Sequence, residues 1–173
     1  MTATIAERLI GRDLPPVRLP ATNGTNVALD QLTGCTVIYI FPRTRPPGST
    51  AIPGWDAIPG ATGCTPQSCG FRDHFGDLKQ AGVDAVYGLS VQDSDFQREL
   101  VERLRLPFPL LSDDALALPR TLGLPTFEAG GMVLLQRMTL IVSDSTIRNV
   151  FHPITNPDQN AADVAAWLVR RAG

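Results

Sequence analysis

The sequence predicts an α/β fold in which helices flank a mixed central sheet. Short β-branched and aromatic runs, Cys35–Phe41, Ala85–Ser90 and Phe108–Leu111, alternate with stretches whose apolar residues recur at helical spacing. Toward the C-terminus the alternation gives way to a hairpin and a closing amphipathic helix, which adds antiparallel strands to the sheet. With 173 residues, 43% hydrophobic and 18% charged, the chain reads as one globular domain over residues 1–173.

Each element has its own warrant. Val17–Leu19 and Asn26–Leu29 flank Asn23-Gly24, a pair that tolerates positive φ, so they read as a hairpin. Cys35–Phe41 is continuously apolar and reads as a central strand covered on both faces. Arg43–Gly63, with four Pro, four Gly and little periodicity, is a long irregular loop, of the kind that is usually functional or disordered. Phe71, Phe75 and Leu78 predict a helix over Pro66–Gln80, closed by Ala81-Gly82. Ala85–Ser90 is the next strand, and Asp93–Leu104 a helix with an acidic start. Phe108–Leu111 is expected as a third parallel strand, and a short helix follows over Asp114–Leu122. Val133–Val142 and Ile147–Phe151 form a hairpin across Asp144-Ser145-Thr146. Asp158–Arg171 then places Val164, Trp167 and Leu168 on one helical face.

Bulk properties narrow the function. A net charge of −2 and a pI near 5.6 give no basic excess for nucleic acid. Fourteen of the fifteen basic residues are Arg, with Lys79 the exception. No apolar stretch approaches the roughly 18 residues of a membrane span, and Met1–Arg12 lacks a signal peptide's apolar core, so a cytoplasmic protein is expected. Three cysteines are too few for a disulfide scaffold; in a reducing compartment they read as catalytic or buried.

Two of the three stand where chemistry is easiest. Cys64 and Cys69 occupy Gly63-Cys-Thr-Pro-Gln-Ser-Cys-Gly-Phe-Arg-Asp73, where loop turns into helix and Thr65-Pro66 suit a cap and first turn. Unpaired N–H groups at a helix start favour a thiolate, the form that attacks and oxidises. A second thiol nearby can trap the oxidised product as a disulfide. The bland alternative for Cys64 is a small buried hydrophobe. Cys35, which opens an apolar strand, reads as core. Cys64, Cys69 and His74 are spaced at fives, which does not gather them on one helix face as metal ligands. The Cys-x-x-Cys pair of a disulfide reductase is absent.

The same stretch resembles the active-site region of peroxiredoxins, closest to the Q type, the bacterioferritin comigratory proteins. Gly63-Cys64-Thr65, Gln67, Cys69 and Phe71-Arg72-Asp73 reproduce that branch's motif. Further landmarks follow in family order: Leu14-Pro15, Asn23-Gly24, Leu32-Thr33-Gly34, Gly88-Leu89-Ser90, Leu110–Asp113 and Arg137–Ile141. The resemblance spans about Leu14 to Leu168 and implies a thioredoxin fold with the peroxiredoxin N-terminal hairpin extension. It implies a thiol peroxidase acting on hydrogen peroxide or organic hydroperoxides and recycled by a thioredoxin-like donor, without metal, haem or flavin, as a monomer or homodimer. Cys64 would be the attacking thiol, Cys69 the resolving thiol, and Arg137 the group stabilising the thiolate and the developing oxygen charge. Five residues along a regular helix hold Cα atoms roughly 8.7 Å apart, beyond the about 7 Å a disulfide spans. The first turns would therefore unwind during the cycle. Arg72 is a candidate for the site's periphery or a surface pair with Asp73.

The sequence departs from the family signature in one place. The usual Thr or Ser three residues before the attacking Cys is Ala61, and the usual Pro seven before it is Ala57. Pro59 and Thr62 stand closer in, after an enlarged loop containing Trp55. Thr62 is expected either to orient the peroxide through its hydroxyl or to cap the helix. Leu124-Pro125-Thr126 is similar to a thioredoxin segment, but Arg137-Met138-Thr139 fits better as the strand facing the site, which leaves Pro125 as a turn residue. A thiol–disulfide oxidoreductase without peroxide specificity, or a non-catalytic redox sensor on the same fold, are the competing functions.

Overall fold

The computed structural model describes residues 2–172. After helix α1 (Ile5–Leu9), closed by a Thr4–Glu7 capping box, come β1 (Arg18–Pro20), β2 (Asn26–Ala28) and β3 (Cys35–Ile40). Helices α2 (Cys64–Asp73) and α3 (Phe75–Gln80) lead to β4 (Ala85–Ser90), α4 (Ser94–Leu104), β5 (Leu110–Ser112) and α5 (Ala117–Thr121). Strands β6 (Thr126–Ala129), β7 (Met132–Leu135), β8 (Met138–Ser143) and β9 (Thr146–Phe151) precede α6 (Asn160–Ala172).

The main sheet has the order β5-β4-β3-β8-β9, with β3, β4 and β5 parallel and β8 and β9 antiparallel to their neighbours. This is a thioredoxin-like mixed sheet. Period-two alternation splits β3 between two cores. Ile38 and Ile40 face Leu89, Leu111 and Leu140 with Leu9, Leu19 and Leu118. Val37, Tyr39 and Phe41 face Phe71, Leu78, Leu100, Val164 and Leu168 of α2, α3, α4 and α6. Tyr39 stacks on Phe71 at 4.5 Å, locking α2 onto the sheet.

Several expectations are corrected. The helix expected over Pro66–Gln80 begins earlier, at Cys64, and breaks at His74 (φ −96°, ψ 9°), which lets Phe75 swing toward Phe108 at 5.9 Å. The strand expected over Val133–Val142 is two strands. β7 pairs with β6 across Gly130-Gly131, both at positive φ, while β8 joins β3, so the chain changes sheets at Gln136-Arg137. The helix expected over Asp114–Leu122 contracts to α5, because the Asp113 carboxylate accepts from the amides of Ala117 and Leu118 and fixes the start there. Cys35 is half-buried at the rim of the core and not inside it.

The long loop 43–63 contains one 3₁₀ turn, Trp55–Ala57. It packs on the β6–β7 hairpin through Trp55 against Phe127 (6.0 Å) and Ile52 against Gly130. A second 3₁₀ turn, Pro157–Gln159, precedes α6 where the sequence suggested helix from Asp158.

Candidate active site

Gly63 caps α2 in the left-handed region (φ 101°), so neither Thr62 nor Thr65 serves as the cap. A Cβ on Gly63 would also fall 2.6 Å from Pro157 Cγ. Strain and collision coincide there, and Gly63→Ala is expected to lower stability by more than about 1 kcal/mol, read as a shift in the denaturant midpoint. Cys64, the first residue of α2, is buried. Because Pro66 has no N–H, the amides of Cys64 and Thr65 form the positive start of this helix.

Arg137 meets this helix start from the break between β7 and β8. It is 3% exposed, and each of its three nitrogens is engaged at one spot. Nη2 lies 3.0 Å from Cys64 Sγ, 3.1 Å from the Ala61 carbonyl oxygen and 3.0 Å from that of Thr62. Nε donates to the Gly60 carbonyl at 3.2 Å, and Nη1 to Gln67 Oε1. Among the described residues no carboxylate pairs with Arg137; the ion pairs there involve Arg72, His74, Arg98 and Arg103. A buried cation without a counter-charge costs several kcal/mol. Of its hydrogen-bond partners only the Cys64 sulfur can become an anion.

Behind this contact lies a buried polar network that sequence reasoning missed. Gln67 Nε2 donates to Asn160 Oδ1 at 3.1 Å, and Thr139 Oγ1 donates to the same oxygen at 2.6 Å. All three residues are buried. Gln67 was legible as the residue one turn after Cys64 on the same helix face. Asn160, more than ninety residues away in sequence from Gln67, left no local signal.

In front of Arg137 opens a cleft of about 500 Å³, lined by Ile58, Pro59, Thr62, Phe127, Gln136 and His152 among others. Thr62 is exposed at its edge and holds Arg137 through its carbonyl. Cys69 is half-buried farther along α2. Arg72 turns away: it pairs with Asp73 at 2.9 Å and donates to the Leu104 carbonyl at 2.8 Å. His74 binds Asp77 at 3.1 Å, and among the described residues no three His, Cys, Asp or Glu side chains form a metal-sized cluster. Cys35 faces Ser143 in the register, six residues of β8 beyond Arg137, or roughly 20 Å of strand. Burial, and then the Asp84 carboxylate, push its thiol up from the ordinary value.

The redoxin family profile matches residues 9–168. The chain belongs to the redoxin family. Its relatives are peroxiredoxins of the Q/bcp type. Chloroplastic peroxiredoxin Q of Suaeda salsa is 27% identical over 169 residues, 96% of this chain and 71% of that protein. The bcp protein of Coxiella burnetii is 27% identical over 163 residues, 92% of this chain and 97% of that one. Some chloroplastic relatives are longer: the chain spans 64% of the Gentiana triflora protein and 54% of the Sedum lineare protein. Among solved structures, the peroxidoxin BcpB of Mycobacterium tuberculosis superposes with a TM-score of 0.74 at 22% identity, covering 95% of this redoxin and 98% of that chain. The thioredoxin-like sheet of this redoxin is thus the peroxiredoxin one. Among the described residues, no helix is long and apolar enough to cross a membrane.

Proposed function

We propose that this redoxin, acting as one domain over residues 1–173, is a thiol peroxidase for hydrogen peroxide or organic hydroperoxides. The observation that carries the reading is the buried, carboxylate-free Arg137 aimed at Cys64 Sγ at the start of α2. A guanidinium stays charged at neutral pH and presents fixed donors. It stabilises the Cys64 thiolate and then the negative charge that develops on the peroxide oxygens. The sulfur attacks the terminal oxygen, the O–O bond breaks, and the departing alkoxide or hydroxide takes a proton from water. Cys64 becomes a sulfenic acid. Thr62, with its hydroxyl at the cleft edge, is proposed to help orient the peroxide.

Cys69 then attacks the sulfenic sulfur, releasing water and forming a Cys64–Cys69 disulfide that a thioredoxin-like donor reduces. On the bacterial relatives' pattern we place the protein in the cytoplasm, as a monomer or homodimer. Mixing reduced protein with peroxide in a stopped-flow instrument tests the reading: second-order consumption far faster than by free cysteine is expected. A rate equal to that of free cysteine would leave a disulfide oxidoreductase or a redox sensor instead.

The resolving step carries its own prediction. Cys64 and Cys69 share one helix with Cα atoms roughly 8.7 Å apart, so bridging unwinds the first turns of α2. That unwinding releases Gln67 from Arg137 and Asn160. One equivalent of peroxide should give a Cys64–Cys69 peptide pair in non-reducing mapping. Faster amide exchange should follow over residues 65–70 and the first turn of α6, while Val164 and Leu168 keep the body of α6 protected. Cys69→Ser should accumulate the sulfenic acid. A Cys64–Cys35 pair would sink the resolving role.

A further inference from the structure

A hydroperoxide brings one O–H donor and oxygen acceptors, yet the groups around Cys64 are short of acceptors. Arg137 has donors only. The carbonyls of Gly60, Ala61 and Thr62 already receive its hydrogens. Ala61 is fully buried and carries no hydroxyl. The Thr62 hydroxyl is exposed and has no protein partner among the described residues to fix its rotor.

The register supplies a rigid acceptor nearby. Thr139 of β8 faces Phe151 of β9, so the residue after β9, His152, lies at the same end of the sheet as Arg137. His152, Gln136 and Arg137 line the same cleft. The imidazole is half-buried, and its Nε2 meets Gln136 Oε1 at 3.1 Å. Gln136 is itself fixed: its backbone amide donates to the Pro125 carbonyl at 3.0 Å and its Nε2 to the Thr126 carbonyl at 3.5 Å. The glutamine nitrogen is thereby used, its oxygen is what faces the ring, and Nε2 of His152 carries the hydrogen. Nδ1 is left with a lone pair and no protein partner among the described residues.

We infer that His152 is a substrate-contacting residue of the peroxidase site, its Nδ1 accepting the hydrogen bond of the hydroperoxide O–H in the cleft before Arg137. The inference rests on the peroxidase reading above. The contact orients the terminal oxygen toward the Cys64 sulfur without consuming a proton. As the S–O bond forms and the O–O bond breaks, the O–H hydrogen stays on the transferred oxygen as Cys64–S–O–H. The alkoxide is protonated by water. Burial pulls the imidazole down from its usual value, which keeps it neutral and able to accept at neutral pH. Protonation would convert the acceptor into a donor. The charged groups lining the two cavities His152 shares are Arg137, just before β8, and Asp163 of α6.

Two variants and two reagents test this. His152→Phe removes both ring nitrogens, whereas His152→Asn keeps an acceptor near the Nδ1 position. With cumene hydroperoxide, His152→Phe should react about tenfold more slowly, the equivalent of one lost hydrogen bond, and His152→Asn should recover most of the rate. Alkylation of Cys64 by iodoacetamide, which needs no acceptor, should be the same in all three proteins. The ratio of peroxide rate to alkylation rate should fall on the acid side for the parent protein and stay flat for His152→Asn. A wild-type peroxide rate in His152→Phe, or a parallel loss of peroxide and alkylation rates, overturns the assignment. If the parent protein itself shows no fast peroxide reaction, it is the peroxidase reading that fails.

Discussion

Cys64→Ser is expected to abolish peroxide turnover, while Cys35→Ser leaves the rate within about twofold of the parent. The two thiols sit in opposite electrostatic settings. Cys64 opens α2, where unpaired amides and the Arg137 guanidinium face the sulfur. Cys35 opens β3 at the other end of the sheet, where partial burial and the Asp84 carboxylate keep its thiol protonated. Ser keeps the size of Cys64 and so tests the sulfur, not the packing, provided that the melting temperature is unchanged. Iodoacetamide should label Cys64 well before Cys35 in the reduced protein. Comparable loss of turnover in both variants would mean that the nucleophile has been misassigned.

What could be read in the sequence was whatever local pattern encodes. The runs Cys35–Phe41 and Ala85–Ser90 announced adjacent buried strands because their apolar content is continuous, and they pair in parallel as expected. Asp93 signalled the start of α4 and does cap it, accepting from the Phe96 amide at 2.8 Å. The position of Cys64 at the start of α2 was legible for the same reason, since a helix start is a local event. The break at Gln136-Arg137 was not. Gln136-Arg137 interrupts an otherwise largely apolar run from Met132 to Val142, but polar residues also occur inside strands, and tertiary pairing decides that Met132–Leu135 joins Thr126–Ala129 while Met138–Ser143 joins β3. That break is nevertheless what swings Arg137 out of the sheet and onto Cys64. Its placement in the site came from family resemblance alone, and a strand Arg read locally would have been left at the surface.

The enlarged loop 43–63 shows the same division. Its Pro and Gly content predicted irregularity correctly, but nothing local said that Trp55 and Ile52 would rest on the β6–β7 hairpin. Loop and hairpin both reach the cleft through Ile58, Pro59 and Phe127, and Ala57 and Ala61, where the sequence departs from the family signature, lie in that same loop. Ala61 keeps a structural part there, since its carbonyl accepts from Arg137 and lies 3.8 Å from Cys64 Sγ.

Arg137→Met should slow peroxide reduction by roughly a hundredfold, the scale on which one preorganised donor at a developing charge acts. Methionine fills similar space but offers no hydrogen, so the thiolate and the peroxide oxygens lose their only cationic contact among the described residues. The variant also strands acceptors. The Gly60 and Thr62 carbonyls belong to exposed residues beside the cleft and can be hydrated, whereas Gln67 and Ala61 are fully buried. Two orphaned acceptors, partly offset by removing a buried charge, should cost about 2 kcal/mol of stability. Rates must therefore be compared at a temperature where both proteins are folded. Arg137→Lys separates charge from geometry: one ammonium keeps the positive charge but cannot reach three carbonyls, Gln67 and the sulfur together. It should fall between the parent and Met in rate. If the folded Met variant reduces peroxide at the parent rate, the guanidinium serves only to tie loop to helix, and the sulfur's reactivity comes from the α2 N-terminus alone.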